Sequence, residues 1–287
     1  MSGIQHLQVQ LDGYSLEVTS GGPPDSGLPT IGAAHPAGVF GEGPALLLSE
    51  AARPRVVCVN VRGLGTSSPP PAGQPYTLTH MVDDIERVRL RLGGGRWVFW
   101  GMSGGGWLGQ IYAHAYPQSL SGLILESVCA CFRLRLADPE CVLSPLYPSW
   151  RDALGERGLL APGAHAAVGD PHDIEPLEIA NVGTVFRRRN GPALLVSPMP
   201  VTPEMRAATP LLWTVDTRTL LPQLRTPTLV IAGDSDPIVP VAHARALHEA
   251  IRGSEFYLVK GGGHAPVTQK RPEFAGAVQR FLRSLPQ

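Results

Sequence analysis

Apolar residues recur along this chain with two different periods, and the order in which those periods follow one another predicts the fold. Leu7-Gln-Val-Gln-Leu11 and Tyr14-Ser-Leu-Glu-Val18 alternate apolar and polar on either side of Asp12-Gly13. An Asp-Gly pair between two alternating runs predicts a hairpin, here two antiparallel strands at a sheet edge. Thr30 to Ala34, Val56 to Val61, Trp97 to Trp100, Leu120 to Ser127, Thr228 to Ala232 and Glu255 to Val259 are short runs, most of them nearly continuous apolar stretches. Such runs suit strands buried on both faces of a parallel sheet. Between them the period becomes helical. Leu78, Met81, Val82, Ile85, Val88 and Leu92 mark one helix, and Trp107 to Pro117 reads as a second. A third spans Pro240 to Ile251, and Phe274, Val278, Phe281 and Leu282 mark a closing helix with Pro272 in its first turn. One more helix is expected near Ala45 to Ala52. In the helix from Leu78, Asp83, Asp84 and Glu86 lie towards the start and Arg87, Arg89 and Arg91 towards the end, as the helix dipole favours.

From about Cys129 to Gln223 the pattern dissolves into a proline-rich stretch without a long periodic run. Strand–helix alternation on both sides of it predicts an α/β fold, a mostly parallel sheet with helices on both faces and a cap inserted late. The expected division is a core from residues 1–128 and 224–287, with residues 129–223 as the inserted cap. Lys plus Arg and Asp plus Glu balance at 24 each. That balance leaves no electrostatic footprint for nucleic acid or an anionic membrane surface, so neither is expected as a partner. No apolar run reaches the length of a membrane span, and the N-terminus shows no secretory pattern. Cys58, Cys129, Cys131 and Cys141 follow no disulfide or metal-site spacing and read as small buried hydrophobes. A cytoplasmic location, no metal and no organic cofactor are the expectations.

The chemistry gathers at strand ends. Gly101-Met-Ser103-Gly-Gly105 follows the Trp97 strand and opens a helix. In that setting a G-x-S-x-G sequence forces the serine into a strained conformation with its hydroxyl proud of the turn. A serine hydroxyl needs a general base, and a histidine base needs a carboxylate to fix its tautomer. In such sheets reactive groups collect beyond the carboxyl ends of the strands. Of nine histidines, His264, in Gly261-Gly-Gly-His264, is the one just past a strand at this edge and after the acid. His243 and His248 fall within a helix, and His114 reads as a core or interface residue. Asp236 is preferred as the acid over Asp234, which suits turn amides, with Glu126 a third candidate. Acyl chemistry also needs oxyanion donors. The amide of Gly104 supplies one. The loop His35-Pro-Ala-Gly38 should supply the other, and Pro36 has no N–H.

The order Ser103, Asp236, His264 resembles the triad of the α/β-hydrolase superfamily. Within that superfamily, Arg62-Gly-Leu-Gly-Thr-Ser67, Asp84-Ile-Glu86 and the Trp-Val-Phe entry to the elbow are similar to the proline iminopeptidase branch, over roughly a quarter of the chain. The resemblance implies a capped α/β-hydrolase with Ser103, Asp236 and His264 as nucleophile, acid and base. By position in its pattern it implies Ala37 as the second oxyanion donor, with Gly38 behind it. Three positions depart from the branch: Gly104 stands where it has tryptophan, His35-Pro-Ala-Gly38 where it has His-Gly-Gly-Pro-Gly, and Asn60 where it has aspartate. The branch takes its specificity for a substrate amine from acidic cap residues, and these do not map onto Asp173, Glu175, Glu178 or Glu204. The Arg62–Gly65 turn lacks the lysine and following helix of a phosphate loop and reads as structural.

The expected activity is a serine hydrolase cleaving a carboxylic ester, amide or short peptide through an acyl-enzyme. The cap's apolar content predicts a partly hydrophobic pocket between cap and sheet. The same triad also serves aminopeptidases, carbon–carbon bond hydrolases, acyltransferases and perhydrolases, and the same scaffold serves non-catalytic ligand receptors.

Overall fold

The computed structural model describes residues 4–38, 52–70, 72, 76–160, 173–198 and 201–286. The helix expected near Ala45 to Ala52 lies almost wholly outside these residues. Two antiparallel strands, β1 (Gln5–Leu11) and β2 (Tyr14–Gly21), flank the Asp12-Gly13 turn in register Leu11 opposite Tyr14. Of these two only β1 lies at the sheet edge, because β2 also pairs antiparallel with β4 (Val56–Asn60). Strands β3 (Ile31–His35), β5 (Trp97–Met102), β6 (Leu120–Glu126), β10 (Thr228–Gly233) and β11 (Glu255–Val259) complete an eight-stranded sheet. Its order is β1-β2-β4-β3-β5-β6-β10-β11, and every pairing from β4 to β11 is parallel. This is the mostly parallel sheet, flanked by helices and interrupted by a cap, that the resemblance implies.

Burial on both faces explains why the central strands lack a polar period. Val57, Val59, Trp97 and Phe99 enter a core shared with α1 (Leu78–Arg91) and α2 (Gly104–Ala115). Their neighbours Val56, Cys58, Val98 and Trp100 enter another, shared with α7 (Arg271–Ser284). Helix α6 (Val241–Ala250) follows β10. The four cysteines are buried free thiols.

Between β6 and β10 the chain leaves the sheet to build the cap. Its elements are α3 (Phe132–Leu136), α4 (Pro148–Gly155), α5 (Pro203–Trp213) and an antiparallel meander of β7 (Ile174–Ile179), β8 (Gly183–Arg188) and β9 (Ala193–Ser197). The meander has no counterpart in the apolar pattern. Its Ile174-Glu-Pro-Leu-Glu-Ile179 strand carries a proline, and its core with α4 is small, built on Leu154, Val182, Val185 and Val196. The outgoing and returning chains are stitched together where the cap begins and ends. Thr217 N donates to Ala130 O at 2.8 Å, and Phe132 N donates to Val215 O at 3.2 Å. Among the described residues no helix is long and apolar enough to cross a membrane.

The acids of α1 do not answer the helix dipole. Asp84 is buried and takes a two-pronged ion pair from Arg62 Nε and Nη2 at 2.7 and 2.9 Å, with the Tyr76 hydroxyl at 3.0 Å and the Tyr14 hydroxyl as further donors. Glu86 is buried against Arg89, Tyr112 and Ser119, at 2.7 to 2.9 Å. Burial alone would raise its carboxyl, but these three donors bring it below the usual range. Arg62 and Asp84 thus tie α1 to the sheet, and Glu86 ties it to α2 and the turn that follows α2. Ser67 Oγ donates to Asn60 O at 2.6 Å, and Thr66 N donates to Glu17 Oε2 at 2.8 Å, so the Arg62–Ser67 segment is a turn bonded to its own neighbours.

Candidate active site

Ser103 sits where β5 turns into α2, with φ 50° and ψ −120°. A non-glycine residue there carries strain on the order of 1–3 kcal/mol. The turn is over-determined from both sides. Ser103 N donates to Glu126 O at 2.8 Å, and Gly106 N donates to Ser103 O at 2.9 Å. Close approach excludes side chains from the flanking glycines: a Cβ on Gly101 would lie 2.3 Å from Gly105 O, and one on Gly105 would lie 2.4 Å from Ala34 O. The sequence of the elbow is therefore dictated by α2 pressing on β5 and β3. It leaves Ser103 at the helix N-terminus, beside amides that have no intrahelical acceptor.

Asp236 and His264 follow β10 and β11, at the same sheet edge. His264 Nδ1 lies 2.9 Å from Asp236 Oδ2 and 3.1 Å from Oδ1. Asp236 Oδ1 also accepts from Ile238 N at 2.8 Å and Val239 N at 3.0 Å. The Asp236 side chain is fully buried, while His264 keeps 18% of its side chain exposed. Asp234 does something else: its Oδ1 accepts from Gly261 N at 2.7 Å, tying the β10 loop to the loop that carries His264. His243 Nε2 pairs with Asp138 Oδ2 at 2.9 Å, and His248 Nδ1 meets Ser254 Oγ at 2.8 Å. His114 is exposed on α2 and so is not a core residue, because Tyr112 and Ala113 take the inward positions of the helix.

Ser103, Gly104, Ala37 and His264 line one cavity of about 290 Å³. Its floor is the sheet edge and its far wall is the cap, which contributes Phe132, Leu143, Phe186 and Leu195. That is the apolar pocket between cap and sheet that the composition suggests. Glu175 and Glu178 are not on its wall. Glu175 pairs with Arg187 at 2.8 Å, and Glu178 accepts from Thr184 at 2.8 Å, both within the cap meander. The side chain of Glu204 lies outside the described residues.

His35 is the residue the sequence reading underused. Its ring lines the cavity together with Ala37, and Nδ1 accepts the Ala37 amide at 3.1 Å. The Ala37 N–H is thus engaged in this state, whereas Gly104 heads α2. A Cβ on Gly104 would lie 2.8 Å from His35 Nε2 and 3.1 Å from Pro36 Cγ, so position 104 has no room for a side chain beside this loop. The histidine ring occupies the space that a side chain at 104 would need. Burial, with His264 nearby, pulls the His35 imidazole down to about 4, so it is neutral where the site would work.

Glu126 lies at the end of β6 and is completely buried. It makes no bond to His264. Its Oε2 accepts from Trp100 Nε1 at 2.8 Å, and its Oε1 accepts from Val267 N at 2.9 Å, so it links β5 to the segment after His264. Burial pushes its carboxyl up to about 8, opposed by the Val267 and Trp100 donors and assisted by Asp236. A folded-state value above the unfolded 4.5 means the folded chain holds an extra proton between those limits and loses stability as pH rises through them. Glu126→Gln removes that titration, though its amide leaves one of the two N–H donors unmet at every pH. The melting temperature of the variant minus that of the parent should rise by about 5 °C from about pH 5 to pH 8. A difference that does not change with pH would show that Glu126 does not titrate there.

Among the described residues no group of three or more His, Cys, Asp or Glu is placed to hold a metal ion. Residues 27–152 match a family model described as alpha/beta hydrolase fold, and residues 201–286 match one described as TAP-like protein. The proline iminopeptidase of Neisseria gonorrhoeae is 38% identical over 77 residues, which is 27% of this chain and 25% of the relative. The match therefore spans about a quarter of that enzyme's length. The pimeloyl-[acyl-carrier protein] methyl ester esterase of Xylella fastidiosa is 25% identical over 215 residues, 74% of this chain and 79% of the relative. Among solved structures, an alpha/beta fold family hydrolase from Bacillus anthracis superposes with a TM-score of 0.72 at 15% identity, covering 97% of this chain and 99% of its own. The proline iminopeptidase of Mycobacterium smegmatis gives 0.65 at 18% identity, covering 97% and 98%. Likeness at such low identity speaks for the fold.

Proposed function

The chain belongs to the α/β-hydrolase superfamily, with homology to its proline-iminopeptidase-like branch, and from that premise we propose that it is a serine hydrolase that cleaves a carboxylic ester or amide through an acyl-enzyme. The observation that carries the proposal is the conjunction of a strained Ser103 and a carboxylate-bound His264 on the wall of one cavity. The Asp236 carboxylate accepts a hydrogen bond from Nδ1–H of His264, which leaves Nε2 as the basic nitrogen. Nε2 takes the Ser103 proton as the hydroxyl attacks the substrate carbonyl, then returns it to the leaving alkoxide or amine. Water repeats the cycle and releases the acid. The Gly104 amide holds the oxyanion, and Ala37 completes the pair by exchanging His35 Nδ1 for the substrate oxygen.

An aminopeptidase reading draws support from the Neisseria homology, but its chemistry needs a carboxylate to receive the substrate's ammonium group. Among the described residues the cavity wall carries none. The test is a fluorophosphonate probe with peptide mapping, run beside a panel of 4-nitrophenyl esters and aminoacyl arylamides, prolyl ones included. The expected result is labelling at Ser103 and turnover of esters well above arylamides. No labelling, with no turnover of either class, would leave a non-catalytic receptor as the better reading. Turnover confined to prolyl arylamides would reinstate the aminopeptidase.

A further inference from the structure

Arg135, on α3, lines the same cavity as Ser103 and His264, and ester chemistry alone gives it no task. The residue is only 4% exposed, and its Nε is buried without a hydrogen-bond partner among the described residues. Two aromatic rings hold the guanidinium: its carbon lies 4.8 Å from the Phe132 centroid and 5.8 Å from that of Trp107. Both rings belong to the cavity wall. Asp138, the acid nearest in sequence, is engaged with His243. The rest of the described wall is aliphatic, aromatic or neutral polar.

A guanidinium keeps its charge at any working pH and offers five N–H donors in a planar fork. Enclosing it in an apolar wall with no carboxylate carries a desolvation penalty that ring contacts offset only in part. Among the described residues no carboxylate compensates this charge, and it faces the cavity that Ser103 and His264 line. We propose that Arg135 binds a carboxylate carried by the substrate itself, at the end remote from the scissile carbonyl. The substrate class is then a small ester or amide of a molecule bearing a free acid group, such as a half-ester of a dicarboxylic acid. The fork matches a carboxylate in two-pronged geometry, and a volume of about 290 Å³ suits a short carbon chain between the two ends. This inference rests on the serine hydrolase reading and adds to it the charge of the substrate.

The experiment compares 4-nitrophenyl monoesters of hexanedioic and octanedioic acids with the same compounds capped as methyl esters at the far end. For the parent protein, kcat/KM on the free acids should exceed that on the capped esters by about 10–100-fold, the worth of a charge-assisted hydrogen bond. In Arg135→Met, whose side chain still fills the space beside Phe132 and Trp107, that ratio should collapse towards one, and Arg135→Lys should restore part of it. A parent ratio near one, or the same ratio in parent and Met variant, overturns the proposal. If the Met variant fails to fold, the parent ratio decides, together with whether hexanedioate inhibits the parent more strongly than its diamide. Fluorophosphonate labelling in parallel separates the two readings. Labelled Ser103 and hydrolysed esters with no preference for the acid sink the carboxylate site alone. Absent labelling and turnover sink the hydrolase, and calorimetric binding of hexanedioate that Arg135→Met fails to weaken then sinks the carboxylate site too.

Discussion

Ser103→Ala should lower kcat on any accepted ester by about 10⁴–10⁶-fold while the protein melts where the parent does. The rate falls because the attacking oxygen is gone, whereas the fold keeps what it had. Alanine inherits the same φ of 50° at the elbow and the same backbone bonds to Glu126 and Gly106. Ser103→Gly makes the sharper comparison. It loses the same oxygen but has no Cβ to strain at positive φ, so it should be as inactive as the alanine variant and more stable than either, by about 1 kcal/mol. Steady-state kinetics and thermal melts on the three proteins test both statements at once. Activity in the alanine variant within tenfold of the parent would remove Ser103 from the chemistry. A glycine variant less stable than the alanine variant would show that the elbow is not strained.

The elbow illustrates what could be read from the sequence and what could not. The sheet was legible because burial on both faces leaves a plain mark: Val56–Val59 and Trp97–Met102 carry no polar residue, and each run is short and flanked by turn residues, as a buried strand is. Ser103, Asp236 and His264 could be nominated because each follows such a strand, so topology alone sends them to one sheet edge. The cap left no comparable mark. Its meander buries a handful of side chains against α4, and a strand such as Ile174–Ile179 then reads as polar loop. Asp84 and Glu86 looked like dipole partners of their helix, because their real partners, Arg62, Tyr112 and Ser119, come from other elements. Arg135 was invisible for the same reason. In Phe132-Arg-Leu-Arg-Leu136 both arginines look like solvent residues, and only the cap's closure over the sheet separates the buried one from its neighbour Arg133. Tertiary partners, absent from any local window, decide each of these cases.

Asp236→Asn should lower kcat by about 10⁴-fold with little change in stability, and the bonds around the carboxylate say why. Two backbone amides, Ile238 N and Val239 N, both donate to Oδ1. An asparagine must therefore place its carbonyl oxygen there, which puts its NH₂ at the position of Oδ2, 2.9 Å from His264 Nδ1. A donor facing Nδ1 forces that nitrogen to accept, so the imidazole proton moves to Nε2, and the nitrogen meant to receive the Ser103 proton is already occupied. The fold survives because both buried amides keep their acceptor. Asp236→Ala removes that acceptor as well, so it should be destabilised by about 1–3 kcal/mol in addition to losing activity. Asp234→Asn, whose oxygen still accepts from Gly261 N, should retain activity within a few-fold. Kinetics and melts on these three variants separate tautomer control from packing. Near-parental activity in Asp236→Asn, or a loss in Asp234→Asn equal to it, would assign the acid elsewhere.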